Sequence, residues 1–122
     1  MKHLAVGLGG ALGAMSRFAM GLWIPTGNNF PFATLVVNLV GSFVLAYLLT
    51  NTNIFKNINI KLAVTTGFLG AFTTFSTFSF ETFDLLASGK VGHALLYVSV
   101  SFVGGILLSY TGYHLAKGGQ SV

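Results

Sequence analysis

Four apolar stretches, about 4–24, 32–50, 60–86 and 92–116, take up nearly the whole chain, with short polar runs between them. A helix needs roughly 20 mostly apolar residues to cross the hydrocarbon layer. The pattern therefore predicts an all-α membrane protein, one domain over 1–122 with four transmembrane helices. At about 27 residues the third stretch is too long for one straight crossing without notable tilt, and Gly67 and Gly70 stand where a local break would fall. The start, MKHLAVGLGGALGA, superficially resembles a signal peptide. Its apolar run continues through Arg17 to Ile24 at spanning length, and more spans follow, which predicts a first helix that is kept.

Small residues mark packing faces within the spans. Gly7, Gly10 and Gly13 recur at intervals of three beside Gly9, Ala11 and Ala14, so another helix can approach the first span closely. In the fourth span Ser101, Gly105 and Ser109, about one turn apart, form a comparable face, with packing favoured over pore lining. The connections read as turns: PTGNNFP from Pro25 to Pro31, then NTNIFKNINIK, then ASGKVG. Trp23, just before the first of them, suits the bilayer interface.

Polar residues inside the spans carry the chemistry. The run GFLGAFTTFSTFSFE, from Gly67 to Glu81, sets Thr73, Thr74, Ser76, Thr77 and Ser79 among Phe72, Phe75, Phe78 and Phe80. Hydroxyls at membrane depth need partners that lipid cannot offer, so they face protein, a narrow aqueous path or an ion. Asn38 in the second span is either an interhelical hydrogen bond or a donor to a passing anion. Arg17 in the first span either snorkels to the head groups or serves an interface or vestibule. Glu81 and Asp84 close the third span.

Composition agrees with this reading and excludes others. The chain is 53% hydrophobic and 7% charged, with a mean hydropathy of +0.80, which no ordinary soluble domain matches. Six basic and two acidic side chains leave no charge run for nucleic acid. The absence of cysteine rules out disulfides and thiolate metal sites. Lys2, Lys56, Lys61 and Lys117 fall on one side of the four spans and Lys90 on the other, which predicts both termini in the cytoplasm of a cell-membrane protein.

The central run favours an anion. A cation filter would want rings of carbonyls or carboxylates, whereas hydroxyl hydrogens, amide hydrogens and the electropositive edges of phenyl rings all suit negative charge. Phe75 and Phe78, three apart on a helix, can present ring edges at successive heights. No lysine or arginine lies among them, and conduction requires sites weak enough to release the ion. Against this, Ser and Thr in membrane helices commonly bond to their own backbone four residues back. A small multidrug-resistance-like transporter would need a carboxylate in the first span, where Arg17 stands; a non-conducting assembly subunit is the third alternative.

Three segments resemble the Fluc (CrcB-type) fluoride channels: Thr73-Thr74-Phe75-Ser76-Thr77-Phe78, then GGALGAMSRF with Arg17, and TLVVNLVGSF with Thr34, Asn38, Gly41 and Ser42. The resemblance implies transport, not catalysis: a fluoride-selective channel that lets fluoride leave the cell passively, built as an antiparallel dimer with a broken third helix. It implies an anion pathway through Asn38, Phe75, Phe78, Ser76, Thr77, Ser79 and Glu81. It also implies a structural, non-transported sodium ion (Na+) held by the main-chain carbonyls of Gly70 and Thr73. Two positions depart from the family pattern: Gly70-Ala71 replaces a glycine pair, and Ala33 stands where glycine is usual. The lysine bias leaves open a heterodimer with a related subunit in place of a homodimer.

Overall fold

The computed structural model describes residues 1–24 and 30–120, all helix apart from short connections. The reading of PTGNNFP as a turn falls largely on residues 25–29, outside the described residues. Helix α1 is Lys2–Trp23 and α2 is Phe32–Thr50, the latter entered through Pro31, whose missing N–H costs nothing at a helix start. Next comes α3, a composite of an α-helical Ile58–Leu62, a π-helical Ala63–Leu69 and a closing α-turn Gly70–Phe72. After a two-residue gap, α4 spans Phe75–Ala87, and α5 runs without interruption over Val91–Gln120, 30 residues. Four helical units, with α3 and α4 counted together, are long and apolar enough to cross a membrane.

Local chemistry explains where these elements stop and start. Asn57 opens α3 by accepting a bond from the Asn59 N–H at 2.8 Å. At the far end of α4, Gly89 takes a φ of 79°, Gly89 N–H reaches the Leu86 carbonyl, and Lys90 N–H reaches that of Leu85 at 2.8 Å. That pair of bonds is a Schellman ending, which needs a left-handed residue and so favours glycine. It turns the chain directly into α5.

The third crossing is broken, but its glycines do not break it. Thr73 and Thr74 are extended, with φ/ψ of −79°/154° and −150°/120°, while Gly67 and Gly70 remain helical. Gly67 serves close approach instead: a side chain there would run into the Val6 carbonyl of α1. The same contact is made from the other direction, since a Cβ on Gly9 would overlap the Ala63 carbonyl and one on Gly13 that of Phe68. α1 thus lies backbone to backbone on the π-helical stretch. Its opposite face, with Leu4, Leu8, Leu12, Met15, Phe18 and Leu22, is exposed, as a lipid-facing stripe of a membrane helix would be.

Two small cores hold the remainder. Val37, Leu69 and Phe72 are buried between α2 and α3, and Phe30, Leu35, Phe78, Leu85, Ala94 and Tyr97 between α2, α4 and α5. α5 lies along α2 through small residues: Gly112 meets the Phe43 carbonyl, Gly104 meets Leu39, and Ser109 Oγ donates to the Ser42 carbonyl at 3.4 Å. Ser109 therefore does the packing work expected of it. Ser101 is also enclosed, and its buried Oγ has no hydrogen-bond partner among the described residues.

Candidate functional site

The gap at Thr73–Thr74 is made by side chains that outbid the helix for its own backbone. In a continuous helix the Thr74 N–H would go to the Gly70 carbonyl; here it donates to Asn38 Oδ1 at 2.8 Å. Asn38 Nδ2 in turn donates to the Thr74 carbonyl at 3.0 Å, so one amide from α2 brackets one residue of the break. The Thr77 N–H, which would otherwise reach the Thr73 carbonyl, donates to Thr74 Oγ1 at 3.2 Å and starts α4 with a side-chain cap. Arg17 supplies a fourth substitution: its Nε donates to the Ala71 carbonyl at 3.2 Å. The Ala71 carbonyl, both backbone groups of Thr74 and the Thr77 N–H are thereby satisfied without a helix, as the hydrocarbon region requires.

Threonine 74 is also the centre of a small hydroxyl cluster. Its Oγ1 donates to Thr77 Oγ1 at 3.1 Å and lies 3.3 Å from Ser76 Oγ. Ser76 and Ser79 are exposed and Thr77 is half-buried. The phenylalanine pair divides in the same way. Phe78 is 8% exposed and Phe75 74%, with ring centroids 5.8 Å apart and a 34° tilt. Tyr97 packs on Phe78 at 5.1 Å, and Phe102 meets it edge-on at 5.9 Å.

Beside the break is an open cavity of about 280 Å³, lined by Asn38, Thr74, Phe75, Phe78 and Ser101 among others. Both the second amide hydrogen of Asn38 and the Ser101 hydroxyl are without a partner among the described residues, so this wall carries two unengaged donors. Of the two alternatives read from its residue type, Asn38 shows the interhelical hydrogen bond. It glues α2 to the break and keeps one donor in reserve.

Glu81 stands one to two turns farther along α4 and is held on both oxygens. Thr34 Oγ1 donates to Oε1 at 2.7 Å, and Tyr97 O–H donates to Oε2 at 3.1 Å. Thr34 is 9% exposed and Tyr97 fully buried. A carboxylate fixed by two hydroxyls keeps its charge in place and cannot swing. Glu81 and Thr34 line two cavities at once: one of about 360 Å³ with Arg17, Thr74 and Thr77, and one of about 330 Å³ with Asp84 and Lys90.

Arg17, Asn38, Thr74, Ser76, Thr77 and Glu81 gather around the break and its cavities, whereas Ser79 is exposed and lines none of these cavities. Residues 4–113 match the family described as "CrcB-like protein, Camphor Resistance (CrcB)". The chain belongs to the CrcB-like family. Among its relatives, one from Listeria innocua named "Fluoride-specific ion channel FluC 2" is 47% identical over 110 residues, covering 88% of this chain and 84% of its own length. One from Bacillus cereus named "Fluoride-specific ion channel FluC 1" is 46% identical over 118 residues, 93% of this chain and 81% of the relative. "Fluoride-specific ion channel FluC" from Acidobacterium capsulatum is 42% identical over 116 residues, 92% and 93% of the two chains. This CrcB-like chain is a multi-pass membrane protein.

Three residues that sequence reasoning did not assign to the site prove central to its geometry: Thr34, Tyr97 and Ser101. Thr34 stood out only within a motif, and Ser101 only as part of a small-residue face. A signal for Tyr97 did exist. Its hydroxyl sits well inside an apolar span and must find an acceptor, and Glu81 is one of only two carboxylates in the chain.

Proposed function

We propose that this chain conducts fluoride passively across the cell membrane, as one half of an antiparallel dimer, and so lowers the fluoride content of the cell. What supports this above all is the division of the phenylalanine pair at the break. Phe78 is enclosed by its own chain, whereas Phe75 is 74% exposed at the mouth of the cavity. A ring left open in this way completes a binding site once a second subunit covers it. The names of the relatives point to the same ion.

An anion entering the cavity meets the reserve hydrogen of Asn38 and the ring edges of Phe75 and Phe78, with the buried Ser101 hydroxyl behind the wall. Ser76, Thr77 and Ser79 continue the track on α4 with hydroxyls. The clamped Glu81, with Thr34 and Tyr97, marks its far end. None of these groups is a free cation, so a small, strongly hydrated anion is solvated in steps without being trapped. Arg17 opens on the cavity that also holds Thr77 and Glu81, beside the last part of this path, with its Nε engaged by the Ala71 carbonyl. A drug–proton exchanger would need a carboxylate where Arg17 stands, so that alternative gains nothing.

A sodium ion fits the chain's donor set. Among the described residues no group of three or more His, Cys, Asp or Glu could hold a metal ion. The break, however, releases the Gly70 carbonyl, because Thr74 N–H turns to Asn38, and the Thr73 carbonyl, because Thr77 N–H turns to Thr74 Oγ1. Main-chain carbonyls are the ligands a hard monovalent cation accepts. Gly70 is exposed on its own chain, as a ligand shared with a second subunit would be. When bound, sodium would tie the two breaks together and take no part in transport.

The test is reconstitution in liposomes with a fluoride electrode outside. Fluoride leaves vesicles holding the intact protein and stays in vesicles holding Phe75→Ile or Phe78→Ile. A purified single chain that conducts is a homodimer; one that conducts only after a related subunit is added is half of a heterodimer. Proton-coupled uptake of an organic cation with no fluoride release would sink the reading. As half of a heterodimer the chain has its two termini and the loop bearing Lys56 and Lys61 on the cytoplasmic side, whereas an antiparallel homodimer has both orientations; cysteine labelling at Lys61 and Lys90 separates the two.

A further inference from the structure

We propose that Arg17 is a positioning residue for the cation site, which sets the aim of the Gly70 and Thr73 carbonyls by holding the carbonyl between them. The inference rests on the sodium reading above and assigns a task to a side chain that the anion path leaves unused. Gly9, Gly13 and Arg17 follow one another at intervals of four, so they share one face of α1. That face meets three main-chain carbonyls of the third crossing in order. Gly9 abuts the Ala63 carbonyl, Gly13 abuts that of Phe68, and Arg17 Nε donates to that of Ala71 at 3.2 Å.

The steps along α3 are unequal, and the inequality is informative. Ala63 to Phe68 is five residues, the hydrogen-bond interval of a π-helix, whose wider turn brings the carbonyls of i and i+5 closer to one face than an α-helix does. An α-helix would align i with i+4 and turn one of the two carbonyls away from α1. Widening of Ala63–Leu69 therefore keeps the ladder of carbonyls facing the glycine stripe. The two glycines let the backbones touch, and the third place on the stripe delivers a half-buried guanidinium to the Ala71 carbonyl, next in the chain after the Gly70 carbonyl that the break releases. Lysine at this place would bring the charge without the planar, rigidly placed Nε–H.

Arg17 is the chain's one arginine, so its Nε–H resonance is identified in protein labelled with ¹⁵N-arginine without any assignment. The full-length protein is purified in detergent with N-methylglucamine as the cation and titrated with sodium at constant ionic strength. The Nε–H signal and the thermal unfolding midpoint are followed together. The signal is expected to move with sodium at the same half-saturation as the midpoint. Arg17→Lys is expected to require about tenfold more sodium for the same stabilisation, the factor that one lost charge-assisted hydrogen bond carries. A merely structural arginine would lower the midpoint equally at every sodium concentration. If sodium stabilises the protein while the Nε–H signal stays fixed, the role of Arg17 is overturned and the sodium site stands. If sodium has no effect on the intact protein, the sodium reading falls and takes this one with it. Should Arg17→Lys fail to fold, the signal of the intact protein still decides.

Discussion

The two halves of the third crossing are held in opposite ways. The first half, residues 58–72, is held toward α1 by its backbone, with glycines of α1 pressing on its carbonyls and Arg17 taking that of Ala71, while Leu69 and Phe72 pack toward α2. The second half, Phe75–Ala87, is held by side chains, with Phe78 wedged against Tyr97 and Phe102 and with Glu81 bonded by Thr34 and Tyr97. Backbone contact tolerates no change of shape, because a carbonyl cannot rotate out of the way. Side-chain contact leaves room for adjustment. The rigid half thus carries the carbonyls that a structural ion would need, while the adjustable half carries rings and hydroxyls that a moving ion would need.

Substitutions that attack each half separately should differ in size accordingly. The largest effect is expected at Gly13→Val, which forces a branched side chain into the Phe68 carbonyl: about 3 kcal/mol or more of lost stability, seen as loss of the monodisperse peak in size-exclusion chromatography. Next is the joint between the halves. Asn38→Ala strands both the N–H and the C=O of Thr74, at a cost of about 2 kcal/mol in thermal unfolding and with fluoride efflux abolished in liposomes. An intact Asn38→Ala protein with normal efflux would contradict the view that this amide makes the break.

In the adjustable half, Tyr97→Phe removes one bond to Glu81 and keeps the ring on Phe78. It should cost about 1 kcal/mol and slow efflux without stopping it, and Thr34→Val should do the same from the other oxygen. The smallest change is expected at Thr82→Ala. This hydroxyl already bonds to the Phe78 carbonyl of its own helix at 2.8 Å, so both midpoint and efflux should stay within about 0.5 kcal/mol of the intact protein. Equal effects at Gly13 and Tyr97 would erase the distinction between the halves.

How much of this was legible in advance follows the same division. Membrane crossing is a matter of length and hydropathy along the chain, so four spans could be read directly. A break in the third could be expected from its length, but its place could not be set by Gly67 and Gly70. It is set by Asn38, 36 positions away from Thr74, and no local pattern reports such a partner. The clamp on Glu81 was hidden for the same reason, as it requires α2 and α5 to stand in register with α4. The π-helical stretch left no trace in composition at all. A five-residue repeat is rare beside the four-residue one, and here it coincides with the close approach of glycines from a neighbouring helix, which no local pattern in its own segment reports. In the opposite direction, a face of small residues was legible in α1, yet only the structure separates Gly9 and Gly13, which touch backbone, from Gly7, which touches nothing.

Helix α5 is a ruler that does not match the film it crosses. Thirty residues at 1.5 Å each make a rod of about 45 Å, against roughly 30 Å of hydrocarbon, so it must lean or emerge. Its last turns bear Tyr110, Tyr113, His114 and Lys117, the mixture of aromatic and basic groups that settles at a lipid–water boundary. Membrane thickness then becomes a demand on the whole bundle, because α5 is fastened along α2 and the excess length must be taken up by tilt of both or by emergence of the last turns.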